Sequence, residues 1–262
     1  MPETPPPAGE DRDPALGPGR SSFPGPTASV GVEHECKWDL AREEYDAIAD
    51  PERFFEGSIL STALTALRPP LTFVSSTLYV DDARRSLIRA GHSLGVVVNV
   101  GSASEVCWMT FKQAVRRHAW RDGLELAERL TPAEVPDALN DPRRLPVGHV
   151  RDCGLAEGHL APVAVASQKR VKGLGRDAHG IDVAYSLDLV TFRAPAAGCP
   201  PVGTYACVEV EVNSSAPRAL RLLEELAQEM DEWLGRPRAG RTKAQRALAA
   251  VEAVGRAPGR AA

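Results

Sequence analysis

The residues whose types and spacing could do chemistry are acidic and evenly spaced. Glu33 and Glu35, followed by Lys37, alternate within GVEHECKWDL (31–40), and Glu209 and Glu211 alternate within YACVEVEVNS (205–214). In an extended chain alternate residues share a face, so each segment puts two carboxylates side by side on one surface. Carboxylates held that close repel and raise one another's pKa unless a cation lies between them. Basic residues recur on similar faces elsewhere. Lys112 shares a face with Trp108 and Thr110 in CWMTFKQ, Arg170 and Lys172 share one in ASQKRVKGL, and AYSLDLV carries a further acid, Asp188. Oxygen ligands at this density suit a hard divalent ion, Mg2+ or Mn2+, and the accompanying Lys and Arg suit phosphoryl groups held by that ion. The solvated face of an ordinary antiparallel sheet accounts for any one of these strands taken alone. Two Glu-x-Glu strands with lysines on others favour a metal and a polyanion.

The elements that must position these residues read mainly as strands. Six segments alternate with period two: GVEHECKWDL, HSLGVVVNV, EVCWMTFKQ, PVAVASQKRV, IDVAYSLDLVTF and TYACVEVEV. Helix signals lie between them. The spacing predicts one helix opening at Asp50-Pro51 and running through PERFFEGSILSTALTAL, and another in DDARRSLIRAG closed by Gly91. A longer helix opens at Ser215–Pro217 and closes at Gly235; its Leu222, Leu223, Leu226, Met230 and Leu234 form an apolar stripe suited to covering a sheet. His34 falls on the nonpolar face of its strand with Cys36 and Trp38 and reads as packed under a helix. His92, His118, His149, His159 and His179 show no metal spacing and read as surface loop positions. Trp108 suits either packing or stacking on a base or apolar group. RVKGLGRDAHG lacks the spacing of a phosphate-binding P-loop and reads as a hairpin.

Composition sets the outer limits. A chain of 262 residues is long enough for one large domain or two small ones, and its formal net charge of -4 gives no bulk electrostatic case for nucleic acid or an anionic membrane as partner. No stretch approaches the roughly 20 apolar residues of a spanning helix. Five cysteines with no CxxC pair indicate reduced thiols, as in a cytoplasmic protein, and neither a disulfide framework nor a zinc site. Residues 1–29 are rich in Pro, Gly and small polar residues and read as a disordered arm, and 255–262 as a frayed tail. The Ala, Arg, Pro and Gly bias hints at a GC-rich bacterial source.

Taken in order, Glu33-x-Glu35-x-Lys37, STLYVDDARRSLIRAGHSL (76–94), MTFKQ (109–113), SLDLVTF (186–192), VEVEV (208–212) and TKAQRAL (242–248) resemble the CYTH domain. This is the family of triphosphate tunnel metalloenzymes, which includes thiamine triphosphatases, inorganic triphosphatases and class IV adenylate cyclases. The resemblance implies an α+β fold over residues 30–254: a closed eight-stranded antiparallel β-barrel with helices packed outside and a charged tunnel within. It implies that Glu33, Glu35, Glu209 and Glu211 bind Mg2+ or Mn2+, with Asp188 as a further acidic lining residue. By the same likeness Lys37, Lys112, Lys243, Arg170, its neighbour Lys172 and, by a looser match, Arg121 bind phosphate. Glu33, Glu35, Lys37 and Lys112 are then the expected catalytic set, acting on a phosphorylated small molecule, and the family leaves room for a homodimer.

The chain also departs from the family pattern. GHSLGVVVN puts Gly95 and Val97 where the family usually carries two tunnel arginines. Arg121-Asp122-Gly123 has Gly123 where a carboxylate is usual, with Glu125 as its substitute, and Thr242 replaces a serine ahead of Lys243. The expected activity is metal-dependent hydrolysis of a triphosphate-containing compound. Two alternatives stand beside it: an enzyme rebuilt for an organic diphosphate such as a prenyl diphosphate, with metal-assisted departure of diphosphate, and a phosphate-binding protein without turnover.

Overall fold

The computed structural model describes residues 28–48, 50–100, 107–115 and 121–255. Its strands are β1 (Ala28–Leu40), β2 (Thr65–Ala66), β3 (Leu71–Asp81), β4 (Ser93–Val100), β5 (Cys107–Val115), β6 (Arg121–Leu130), β7 (Ala161–Arg176), β8 (Asp182–Arg193) and β9 (Pro201–Val212). The helices are α1 (Arg42–Ile48), α2 (Pro51–Glu56), α3 (Leu60–Ala63), α4 (Ser86–Arg89), α5 (Val135–Ala138), α6 (Leu145–Asp152), α7 (Pro217–Leu234) and α8 (Lys243–Gly255). Strand order runs β7-β3-β4-β5-β6-β1-β9-β8, and β8 pairs back onto β7, so eight antiparallel strands close a barrel. The two-residue β2 continues the β3 edge along β7, opposite Gly175 and Arg176.

The alternation decides which face turns inward, and the apolar face turns outward. Cys36 and Trp38 of β1, Val208 and Val210 of β9 and Leu187 of β8 pack under α7, where Leu223, Leu226 and Met230 are buried. The Trp38 indole donates to Asp231 Oδ1 on the same helix at 2.6 Å. His34 follows this face, buried with its Nε2 3.0 Å from Ser215 Oγ. On the other side Met109, Phe111, Leu126 and Leu130 are covered by Val147 and Val150 of α6. The main apolar layers thus lie between the barrel and its helices, and the lumen is left for polar side chains. Charged groups in a closed lumen are tolerated because they pair with one another.

α8 covers one end. Its Ala244, Ala247 and Leu248 pack on Tyr79, Ala164, Ala166, Val190 and Phe192, all on the lumen face of their strands. Its start is fixed by a reciprocal cap: Gln245 N donates to Thr242 Oγ1, and Thr242 N donates to Gln245 Oε1, each at 3.0 Å. That cap sets Lys243 as the first helical residue at the mouth of the lumen.

The structure corrects some expectations. The single helix expected from Pro51 divides at Gly57-Ser58 into α2 and α3, and the chain then turns into β2, because Thr65 and Ala66 find strand partners on β7. β3 and β6 are strands that the alternating segments omit. RDGLELAERL is built of good helix formers, and there barrel pairing overrides local preference; β3 has strand-favouring Thr, Val, Phe and Tyr but lacks a clean polar–apolar alternation. His149 lies in α6 rather than a loop, and a half-buried His92 accepts from Ala114 N at 3.1 Å, whereas His159 and His179 are exposed as expected. His118, the N-terminal arm to residue 27 and the tail from residue 256 lie outside the described residues; β1 begins at Ala28 and α8 reaches Gly255.

One position on the outer face leaves no room for a side chain. A Cβ at Gly173 would lie 2.1 Å from the Tyr185 ring, which is itself buried against Phe54 and Phe55. Gly173→Ala is expected to destabilise the fold by about 1–3 kcal/mol, since an overpacked core must shift its neighbours. Chemical denaturation checks this, and an unchanged midpoint would contradict it.

Candidate metal and phosphate centre

Three strands deliver the acids. Glu33 and Glu35 come from β1, and Glu211 pairs in register with Glu35 on β9. Each of these three offers an oxygen within 4.8 Å of the others, which makes an all-oxygen triad. Asp188 and Glu209, expected in the same set, form a second group with Cys207. Cys207 was visible in the sequence only as a thiol, although it precedes Glu209 by two residues and therefore shares its face.

The cations separate the two groups. Around Glu209 gather Lys37 at 2.6 Å, Arg170 at 2.7 Å and Lys243 at 2.9 Å. Arg170 is bidentate to Asp188, at 2.7 and 2.6 Å, and Lys243 reaches Asp188 at 2.5 Å. This second group is an ion-pair hub whose carboxylates are already neutralised. The triad has three cations for three carboxylates, where the hub has three for two. Lys172 meets Glu211 at 2.8 Å, Lys37 meets Glu35 at 2.8 Å, and Lys112 contacts Glu33 and lies 3.8 Å from Glu125. Glu125, the expected substitute for a missing carboxylate, is in register with Lys112 across β5 and β6. Arg121 is in register with Glu35; its side chain lies outside the described residues.

Electrostatics mark the same division. Burial drives Glu33 well above the ordinary carboxylate value of 4.5; Lys112 offsets part of this, while Glu211, Glu125 and Glu35 add to it. Burial also pushes Glu211 upward, but Lys172, a hydrogen bond with Glu33 and Lys112 outweigh it and hold the group at about 2. Glu209 is likewise opposed by burial and is held well below the usual range by Lys243, Lys37 and Arg170. Burial would lower Lys112, yet Glu125, Glu33, Glu35 and Glu211 keep it well above its ordinary value. Its side chain is nevertheless 43% exposed, so it borders the open lumen.

A site where burial and two neighbouring acids oppose the charge of one of three crowded carboxylates, and all three present oxygens, fits a hard divalent cation. Glu33, Glu35 and Glu211 would hold it. The Asp188–Glu209 group does not fit as well, because its two carboxylates share three cations and a buried thiol is its third ligand.

The raised pKa of Glu33 has a testable sign. Its contribution to folding is present below about 4.5 and is lost as pH rises through the folded value, so toward high pH the buried Glu33 is a cost in metal-free protein. Glu33→Gln is therefore expected to melt at or above wild type at pH 8 with a chelator present, and to lose the stabilisation that Mg2+ or Mn2+ gives wild type. Melting well below wild type in chelator would contradict this.

A closed antiparallel barrel with charges inside and hydrophobic layers outside defines a tunnel protein. No family model matches the chain, and no curated protein matches it in sequence. Solved structures do. A Bacillus halodurans protein, provisionally named an adenylate cyclase, aligns over 83% of this chain and 97% of its own at 16% identity, with a TM-score of 0.54. A Pyrococcus horikoshii OT3 protein covers 83% of this chain and 98% of its own at 14% identity, with a TM-score of 0.50. A Hippeastrum protein reported to have a dominant triphosphatase activity covers 86% and 96% at 16% identity and a TM-score of 0.49, too low to weigh here. The chain has the triphosphate tunnel, or CYTH, fold.

Proposed function

We propose that the protein is a divalent-metal-dependent phosphohydrolase acting on a triphosphate-containing small molecule inside the barrel. The observation that carries this reading is the Glu33–Glu35–Glu211 triad, set in one lumen with five cations: Lys37, Lys112, Arg170, Lys172 and Lys243. A divalent ion, Mg2+ or Mn2+, would neutralise phosphoryl charge and make the terminal phosphorus more electrophilic. Lys112 is placed to hold an oxygen of the transferred phosphoryl group, since it alone of the five keeps much of its side chain open to the lumen. Lys37, Arg170 and Lys243 form a positive end against which the remaining phosphates lie, and Lys172 fixes Glu211. The dipole at the start of α8 adds to the positive field around Lys243. A reduced cytoplasmic setting suits a chain whose five cysteines are all free.

The second reading, an enzyme that expels diphosphate from an organic diphosphate, is favoured by one observation. Gly95 and Val97 stand on the lumen face, so the wall has no cation there. Release of phosphate and diphosphate from inorganic triphosphate, ATP, thiamine triphosphate and geranyl and farnesyl diphosphates, with and without Mn2+, separates the two. Metal-dependent phosphate release from a triphosphate is expected. Diphosphate release from a prenyl substrate alone would establish the second reading, and no release from any substrate would reject both.

A further inference from the structure

We propose that the wall formed by β3, β4 and the start of β5 seats an uncharged organic group, so that the ligand is an organic phosphate ester rather than bare inorganic triphosphate. This rests on the reading above and narrows its substrate. In the barrel order, β3, β4 and β5 lie across the ring from β1, β9 and β8, which carry most of the acids.

Charge is segregated between these walls. The described lumen positions of β3 and β4 around the site are Ser75, Thr77, Tyr79, Gly95 and Val97, and β5 continues with Trp108 before charge returns at Lys112. Arg129, in register with Trp108 on β6, is exposed. The inward direction of Trp108 follows from its strand, because Cys107, Met109 and Phe111 are buried in the outer layer. Gly95 is in register between Tyr79 and Thr110, so two neighbouring strands present side chains across a position that has none. A larger residue does not simply fit there: a Cβ would lie 2.9 Å from the Leu78 carbonyl oxygen and 3.1 Å from Thr77 Cγ2. The neutral strip is thus built into the backbone approach of β3 and β4.

The lumen cations, two of them on β7 beside β3, point the same way. Lys37, Arg170, Lys172 and Lys243 each contact a carboxylate at 2.8 Å or less, and Lys112 contacts Glu33. A bare triphosphate must draw these cations from their acids with only the divalent ion to add to its affinity. An ester gains in addition from burying an apolar or planar group against the half-buried Val97 and Trp108, whose indole stacks readily.

Calorimetric titration in Mn2+ tests this with four probes: inorganic triphosphate, inorganic diphosphate, the β,γ-imido analogue of ATP, and farnesyl diphosphate. Wild type is compared with Trp108→Leu. At least one organic probe is expected to bind about tenfold tighter than the bare anion with the same number of phosphates. Trp108→Leu should remove most of that advantage and leave the bare anions within about twofold. The two organic arms tell a planar base from an isoprenoid chain. Bare anions binding as tightly as their esters, a Trp108→Leu effect equal across all four, or no binding of any probe would overturn the proposal. Binding without hydrolysis would reject the hydrolase reading alone, and hydrolysis with equal affinities would reject this one alone.

Discussion

Glu35→Gln and Glu211→Gln should each lower metal-dependent turnover by roughly a hundredfold or more while leaving the barrel folded. The substitutions keep shape and one oxygen and remove only charge. The two residues face each other in register on β1 and β9, and with Glu33 they form the all-oxygen cluster of the lumen. An ion held there contributes several kcal/mol of charge stabilisation in the transition state, and each 1.36 kcal/mol is tenfold in rate, so loss of one ligand has an effect of that order. Affinity for Mn2+, followed by calorimetry, should fall in parallel. If the triad is merely structural, Glu211→Gln strips Lys172 of its partner and lowers the melting temperature while Mn2+ affinity stays unchanged. The two outcomes are separable in one experiment.

Glu209→Ala should act on stability in the absence of any ion. Glu209 is the acid on which Lys37, Arg170 and Lys243 converge, all of them largely buried. Asp188 still serves Arg170 and Lys243, and Glu35 still contacts Lys37, but the acid common to all three is gone. Removing one member of a buried ion-pair network typically costs about 3–5 kcal/mol, because the remaining charges stay desolvated. For a domain of this size that corresponds to a fall of about 6–20 °C in Tm. Added triphosphate should raise the Tm of the variant more than that of wild type, since the freed cations gain an anionic partner. A Tm within a degree or two of wild type in chelator would contradict this.

Much of the site was legible because β-strand alternation has a period of exactly two. Glu33, Glu35 and Lys37 could share no other face, and the same holds for Glu209 with Glu211 and for Arg170 with Lys172. The inward direction of that face was not legible from alternation, because a charged face ordinarily meets solvent. The family resemblance supplied it, and the closed strand order with its outer hydrophobic layers bears it out. The division of five expected metal carboxylates into a triad and an ion-pair hub was also hidden. It depends on which cation reaches which acid across strands as distant in sequence as Lys243 and Asp188. β6 was missed for a local reason: RDGLELAERL has helix-forming composition, and only its pairing with β1 and β5 makes it a strand. Gly95 and Val97 stood out as departures in the sequence, whereas the neutral strip that they make with Tyr79 and Trp108 required the register.

The central claim is that Glu33, Glu35 and Glu211 hold the metal and the hub around Glu209 does not. A crystal structure of the protein soaked in Mn2+, with anomalous scattering measured near the manganese edge, tests it most directly. One anomalous peak coordinated by oxygens of Glu33, Glu35 and Glu211 is the expected result. A peak among Asp188, Cys207 and Glu209, with Lys243 and Arg170 displaced, or no peak in the lumen at all, would contradict the account.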